Sequence, residues 1–232
     1  MQGKILLVGG GRSGIARQIA RDAASAGAAV VLAGRDPSVL AGQRDGQISV
    51  ARVDLGDEES IRELAERVGS VDYVVSSAAS PANGPVTGVE RDAVLKAFDA
   101  KVFGPLLLAK HLAPRIAANG AMVFLAGIVG WRPSPGRTVT AAANGAVSFL
   151  AAALAVELAP IRVNAISPGI VDSGAWDVLG DGKEQLFANT ATKVPAGRVG
   201  QPADISSATL LALTNPFLTG ETLHVEGGAR WA

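Results

Sequence analysis

The chain contains no cysteine, which removes disulfides, thiolate metal ligands and a cysteine nucleophile at once and suits a reducing compartment. Tyrosine is nearly absent: Tyr73 is the only one, so chemistry that needs a phenol has one place to come from. Histidine occurs twice, His111 in an apolar helical stretch and His224 in a strand, both better suited to packing than to catalysis. Neither joins carboxylates in a metal-ligating cluster or a Ser-His-Asp arrangement, so no metal is expected. Net charge is missing too: 21 basic and 21 acidic residues cancel, which gives no reason to expect nucleic acid or an anionic membrane as partner. The opening, MQGKILLVGGG, reaches glycine too soon for a signal peptide or a spanning helix. The longest apolar stretch, Gly145 to Val156, contains Ser148 and is bounded by Asn144 and Glu157, as in a buried helix. A cytoplasmic protein is expected.

What is present is an alternation. Runs of strand length occupy Lys4 to Val8, Ala29 to Ala33, Ile48 to Asp54, Tyr73 to Ser76, Ala121 to Ala126, Arg162 to Ile166 and Thr222 to Val225. Several are continuous in Val, Ile and Leu, as strands covered on both faces should be. Between them lie stretches of helical period: Gly14 to Ala26, Glu58 to Val68, Asp92 to Ala118, Ala141 to Leu158 and Pro202 to Thr214. This succession predicts one α/β domain over the 232 residues, a Rossmann-type doubly wound parallel sheet of about seven strands with helices on both faces. One long irregular stretch, Pro168 to about Gly200, is of a length that usually marks a lid or holds short helices of its own.

The first strand runs straight into Gly9, Gly10, Gly11, Arg12, Ser13 and Gly14, and then into a helix. At the carboxyl edge of a parallel sheet such a turn lets backbone N–H groups and a helix N-terminus approach a pyrophosphate; the alternative is a plain tight turn. Gly9, Gly11 and Gly14 fit G-x-G-x-x-G. The second strand ends in Gly34, Arg35 and Asp36, with no acid at Gly34 to take a ribose 2′-hydroxyl. Arg35, with Arg12, suits the 2′-phosphate of NADP. NADP(H) is therefore expected over NAD(H), Asp36 on the ribose being the alternative.

Together these elements resemble the short-chain dehydrogenase/reductase family over essentially the whole chain. The likeness is carried most specifically by LAVELAPIRVNAISPGIVDS, residues 154–173, and GRVGQPADISSATLLALTNPFLTGETLHVEGG, residues 197–228. In family register the turn glycines are Gly10 and Gly14, with Ala16 at the third place. The resemblance implies a cofactor site of Gly10, Arg12, Ser13, Gly14, Ile15, Arg35, Asp54, Leu55, Ser77, Ala78, Asn144, Pro168, Gly169, Ile170 and Ser173. Asp54 would contact the adenine, and Ile170 and Ser173 would face the nicotinamide end. Ser76, Ser77, Ala78 and Ala79 stand where the family has Asn-Asn-Ala-Gly.

The same register finds the catalytic end changed. Family members use a Tyr-x-x-x-Lys pair, a serine thirteen residues before the tyrosine, and an asparagine on the preceding helix. Those positions are Thr140, Asn144, Gly127 and Lys101 in this chain. Tyr73 cannot substitute for the pair, since Ser77 stands four residues beyond it. An aliphatic hydroxyl is a far weaker acid than a phenol, an amide carries no charge to shift a neighbour's pKa, and glycine has nothing to polarise a carbonyl. Ordinary reductase turnover is expected to be very low. Lys101 would add chemistry if its amine pointed into the site; the alternative is a solvated or ion-paired lysine.

Trp131 and Trp176 are placed by the resemblance near a substrate cleft and Trp231 near a subunit interface, core packing being the alternative for each. The apolar segments Leu106 to Ala113 and Leu218 to Val225 suit a homodimer or homotetramer. Three functions remain open on the sequence: an NADP(H)-dependent oxidoreductase with a rearranged site, a dinucleotide-binding sensor, scaffold or partner subunit without catalysis, and a non-redox enzyme on the same fold.

Overall fold

A computed structural model describes residues 1–9, 14–43 and 46–232. Seven strands form one sheet: β1 (Lys4–Val8), β2 (Ala29–Gly34), β3 (Ile48–Arg52), β4 (Val71–Ser76), β5 (Ile116–Leu125), β6 (Arg162–Pro168) and β7 (Thr222–Val225). Their spatial order is β3-β2-β1-β4-β5-β6-β7 and every neighbouring pair is parallel. Eight α-helical segments accompany them: α1 (Gly14–Ser25), α2 (Pro37–Leu40), α3 (Glu58–Val68), α4 (Arg91–Phe98), α5 (Gly104–Leu112), α6 (Thr138–Glu157), α7 (Gly182–Ala191) and α8 (Pro202–Thr214). The expected doubly wound sheet is thus observed.

The pleat sorts the apolar runs into two cores. Leu6, Val8, Val74, Met122 and Phe124 point to one face, beneath α3, α5 and α6, where they meet Leu64, Leu108, Leu112, Val147 and Ala151. Ile5, Leu7, Leu32, Val75 and Val123 point to the other, against Ala16, Ile19 and Ala23 of α1 and Ile205 and Leu213 of α8. Each such fully buried Leu, Ile or Phe contributes about 1.5–3 kcal/mol of transfer free energy. Arg162, also buried, sends its guanidinium to the carbonyls of Ala212 (2.8 Å) and Leu213 (2.6 Å), which caps the end of α8.

The helix expected over Asp92–Ala118 and the strand expected from Ala121 need correction. The helix predicted over Asp92–Ala118 stops at Leu112: a 3₁₀ turn over Ala113–Arg115, with Pro114 inside it, precedes β5, which already starts at Ile116. Within that helical stretch, Asp99–Phe103 forms a π-helical turn between α4 and α5, carrying Lys101. The long irregular stretch holds a 3₁₀ turn over Asp177–Leu179 and the helix α7. Its two ends are pinned together, since the Asp172 N–H donates to the Gly200 carbonyl and the Gly200 N–H to the Ile170 carbonyl, both at 2.9 Å.

The strand order reverses at β1 and β4, so the crevice beyond their carboxyl ends is where an open α/β sheet holds a ligand. The segments that follow β1, β4, β5 and β6 carry most of the residues singled out above.

Candidate functional site

At the end of β1, Gly9 has φ +120°, and a Cβ there would stand 2.5 Å from Ser77 Oγ and 2.9 Å from the Ala78 nitrogen. Only glycine lets β1 turn this close to the segment after β4. The contact is held by the Ser77 N–H, which donates to the Val8 carbonyl at 2.8 Å. Gly14 opens α1 and donates its N–H to the Ser173 carbonyl at 2.8 Å; a Cβ on Gly14 would lie 2.9 Å from that same oxygen. Sequence positions far apart, Gly9, Gly14, Ser77, Ala78 and Ser173, therefore meet at one edge of the sheet. Ile15 is half-buried in the α1 face of the core. Gly10, Arg12 and Ser13, also expected at the cofactor, lie outside the described residues.

Around the residues expected at the adenosine the side chains differ in how far they are engaged. Asp36 caps α2, accepting from the Ser38 N–H (2.9 Å) and the Ser38 hydroxyl (2.6 Å), and these bonds hold its carboxyl below the usual range. Arg35 is exposed and makes no ion pair among the described residues. Asp54 accepts from the Gly56 N–H at 3.0 Å through one carboxylate oxygen, and Leu55 is buried beside it.

A cleft of about 660 Å³ opens past the ends of β5, β6 and β7. Its walls include Gly127, Thr140, Asn144, Pro168, Gly169 and Ile170, so three of the four positions that the family register aligns with catalytic residues share it with the residues expected at the nicotinamide. Asn144 is 4% exposed and its Oδ1 has no hydrogen-bond partner. A buried acceptor left bare costs about 1–3 kcal/mol, which a donor on a bound molecule would recover. Thr140 has a partner already: its hydroxyl donates to Asn83 Oδ1 at 3.1 Å.

Lys101 takes neither of its expected roles. It is not part of the cleft wall, its amine is buried, and it has no ion pair among the described residues. The π turn directs its amine to the Leu125 carbonyl at 2.5 Å and the Ala126 carbonyl at 3.3 Å, the last peptides before Gly127. The residue is only partly covered, but the amine is its desolvated end, and burial takes its pKa down to about 8. Tyr73 lies in β4 and does not reach the cleft.

The tryptophans separate. Trp176 lines the cleft, whereas Trp131 packs edge-on against His224 with ring centroids 4.6 Å apart and Trp231 is 80% exposed. His224 has no partner on Nδ1, and burial, aided by nearby Arg230, lowers its pKa. His111 bonds to Glu58 at 2.9 Å.

The cleft also contains residues that sequence reasoning did not single out. Arg132 and Arg137 come from the loop after β5 and Lys193 from the end of the long excursion after β6. Nothing in their spacing signals a common purpose, because only the fold brings these segments together. Two acids share the wall, and each has its own arginine. Asp204 forms a bidentate pair with Arg198 (2.7 and 2.8 Å), which drops its pKa to about 2, and Glu226 pairs with Arg230 at 3.0 Å.

Comparison with known proteins gives consistent relatives. A family model described as Enoyl-(Acyl carrier protein) reductase matches residues 10–230. The 3-oxoacyl-(acyl-carrier-protein) reductase of Chlamydia muridarum is 30% identical, the match covering 97% of this chain and 96% of that one. A solved small-chain dehydrogenase in complex with NADPH is 30% identical over the whole of both chains, with a TM-score of 0.84. The apo structure of a short-chain oxidoreductase from Pseudomonas aeruginosa PAO1, described as containing an atypical catalytic center, is 26% identical with a TM-score of 0.88 over 97% of this chain and 96% of that one.

Proposed function

The chain belongs to the short-chain dehydrogenase/reductase family, and on that footing we propose that it is an oxidoreductase-type protein that binds NADP(H) while turning over ordinary carbonyl or alcohol substrates very slowly. The residues suit the cofactor: Gly9 and Gly14 leave room at the β1 edge, and the bare Asn144 Oδ1 can accept from a ribose hydroxyl. Arg35 is free for a 2′-phosphate while the Asp36 carboxylate is occupied by Ser38. NADPH, when bound, would supply hydride. The chain would have to manage the accompanying proton.

One observation carries the low-turnover reading. No phenol, imidazole or thiol lines the cleft among its described residues, and the one hydroxyl at the position of the usual acid, Thr140, already donates to Asn83. Asp204 and Glu226 are committed to arginines. A missing general acid costs about 10²- to 10⁴-fold in rate and a missing donor to the carbonyl oxygen about 10²- to 10³-fold, without strict additivity. The engagement of Thr140 equally favours a second reading, a cofactor-loaded sensor, scaffold or partner subunit. The P. aeruginosa relative, described as having an atypical catalytic center, is a precedent for departure within this fold.

Calorimetric titration with NADPH and NADH, followed by a panel of ketones and alcohols, tests the proposal. Micromolar NADPH binding with negligible turnover is expected. No binding of either dinucleotide at millimolar concentration would refute the cofactor assignment, and robust turnover abolished by Lys101→Ala or Lys193→Ala would establish a rearranged site instead.

We further propose a homo-oligomer in the cytoplasm. α6 is long and apolar enough to span a membrane by composition, with mean hydropathy 1.8, yet one face packs on β5 and β6 through Val147, Ala151 and Leu154. Its other face leaves Phe149 and Val156 79% and 82% exposed, which suits a second subunit.

A further inference from the structure

The walls of the cleft are not neutral, although the chain is. Arg132, Arg137 and Lys193 line it with no carboxylate partner among the described residues, while both wall acids are neutralised by Arg198 and Arg230. Three positive charges are left over in one concave site. Arg137 is half-buried with no acceptor for its guanidinium among the described residues, so its donors are available to a ligand. Arg132 is fixed in place by donating one N–H to the Ala229 carbonyl at 2.6 Å, and its remaining donors stay available.

These charges are not where a dinucleotide needs them. The phosphate-binding features, Gly9, Gly14 and Arg35, belong to the β1 and β2 edges, whereas Arg132 and Arg137 follow β5 and Lys193 lies beyond β6. From β2, which carries Arg35, to β5 is three strand spacings, roughly 14 Å, and from β1 to β5 two, roughly 10 Å. Between the cations the wall is apolar, formed by Ile128, Val129, Ile170, Val194 and Trp176.

Building on the NADP(H) reading above, we propose that the cleft takes a small organic anion: a carbonyl or alcohol compound with a short apolar body and a terminal carboxylate or phosphate, held by Arg132, Arg137 and Lys193. Clefts of one sign with low-dielectric walls concentrate the field, so the preference should weaken as salt rises.

The test uses full-length protein in low-salt buffer, without and with saturating NADPH, and follows quenching of the intrinsic tryptophan fluorescence, to which Trp176 in the cleft contributes. The probes are acetoacetate against its methyl ester, and glycerol 3-phosphate against glycerol. Each anion is expected to bind at least about ten-fold more tightly than its neutral counterpart, the stronger pair showing whether carboxylate or phosphate fits better. Arg137→Ala and Lys193→Ala should each reduce that ratio several-fold, with Arg137→Lys retaining part of it. Folding of each variant is checked by circular dichroism. Equal affinity for anion and neutral partner, or a preference untouched by both alanine variants, overturns the proposal, as does absence of binding by all four probes. Because the apo arm reads the chain's own charges, a failure of NADPH to bind would refute the cofactor reading separately.

Discussion

The Asn144 amide occupies the space over Gly127: a Cβ on Gly127 would come within 3.0 Å of Asn144 Nδ2 and 3.4 Å of its carboxamide carbon. Two of the positions proposed as altered are thus packed on each other, and a serine cannot be placed at one without disturbing the other. Gly127→Ser alone is expected to lose about 1–2 kcal/mol of stability and gain no activity. The combination Gly127→Ser, Thr140→Tyr and Asn144→Lys is expected to raise ketone-dependent NADPH oxidation by about 10²-fold or more over the parent. A triple variant that binds NADPH and remains inert would show that turnover is limited elsewhere.

Arg35 and Asp36 are neighbours with opposite commitments. Arg35→Ala should weaken NADPH about ten-fold or more and leave NADH within a factor of two or so, because only the former carries a 2′-phosphate. Asp36→Ala should remove the cap on α2 with a small loss of stability while barely changing NADH affinity. Isothermal titration of both variants with both cofactors decides the matter. A large NADH loss in Asp36→Ala would place that carboxylate on the ribose after all.

Lys101 gives stability a pH dependence whose sign follows from its environment. Burial lowers its amine to about 8, from an ordinary lysine value of 10.5. Between those values the unfolded chain binds the proton and the folded chain releases it, so stability should rise as pH climbs from about 8 to about 10. The buried cation's penalty is in full force below that window, at most about 3 kcal/mol. Lys101→Met removes this slope. The parent's urea midpoint should therefore rise relative to the variant's from pH 7 through 8 and 9 to 10, and parallel curves would refute it.

The bare face of α6 makes a prediction of its own. Phe149 and Val156 are seven residues apart, so their side chains share one side of the helix. Phe149→Asp with Val156→Asp should shift the protein from dimer or tetramer to monomer in light scattering at micromolar concentration, with the fold intact by circular dichroism. A parent that is already monomeric there would overturn the oligomer proposal.

The strands were readable because they are continuous in Val, Ile and Leu, and β1 and β7 have the expected bounds. The error at Ala113–Ala118 has a physical origin. Alanine-rich sequence has strong helical propensity, yet Pro114 and the pairing of Ile116 with Val71 claim those residues for a turn and a strand. The glycine turn and the absence of a second tyrosine were evident from residue identity alone. Side-chain commitments were not. That Thr140 would meet Asn83, 57 residues away, or that Arg137 and Lys193 would face one cleft, depends on how loops cross the sheet edge. The direction of Lys101 depends on a π turn that leaves no mark in the hydrophobic period.

That turn at Asp99–Phe103 has an evolutionary and engineering consequence. Closing hydrogen bonds to the fifth residue instead of the fourth encloses close to one extra residue, so α4 and α5 stay in phase around it. Removing one residue there would turn a bulge into ordinary helix, leaving Ala97 and Leu108 on their buried sides as before. Only the aim of Lys101 would change. The segment separates chain length from packing, which makes it a spot in the domain where an indel could be tolerated by the fold and still be registered at the cleft.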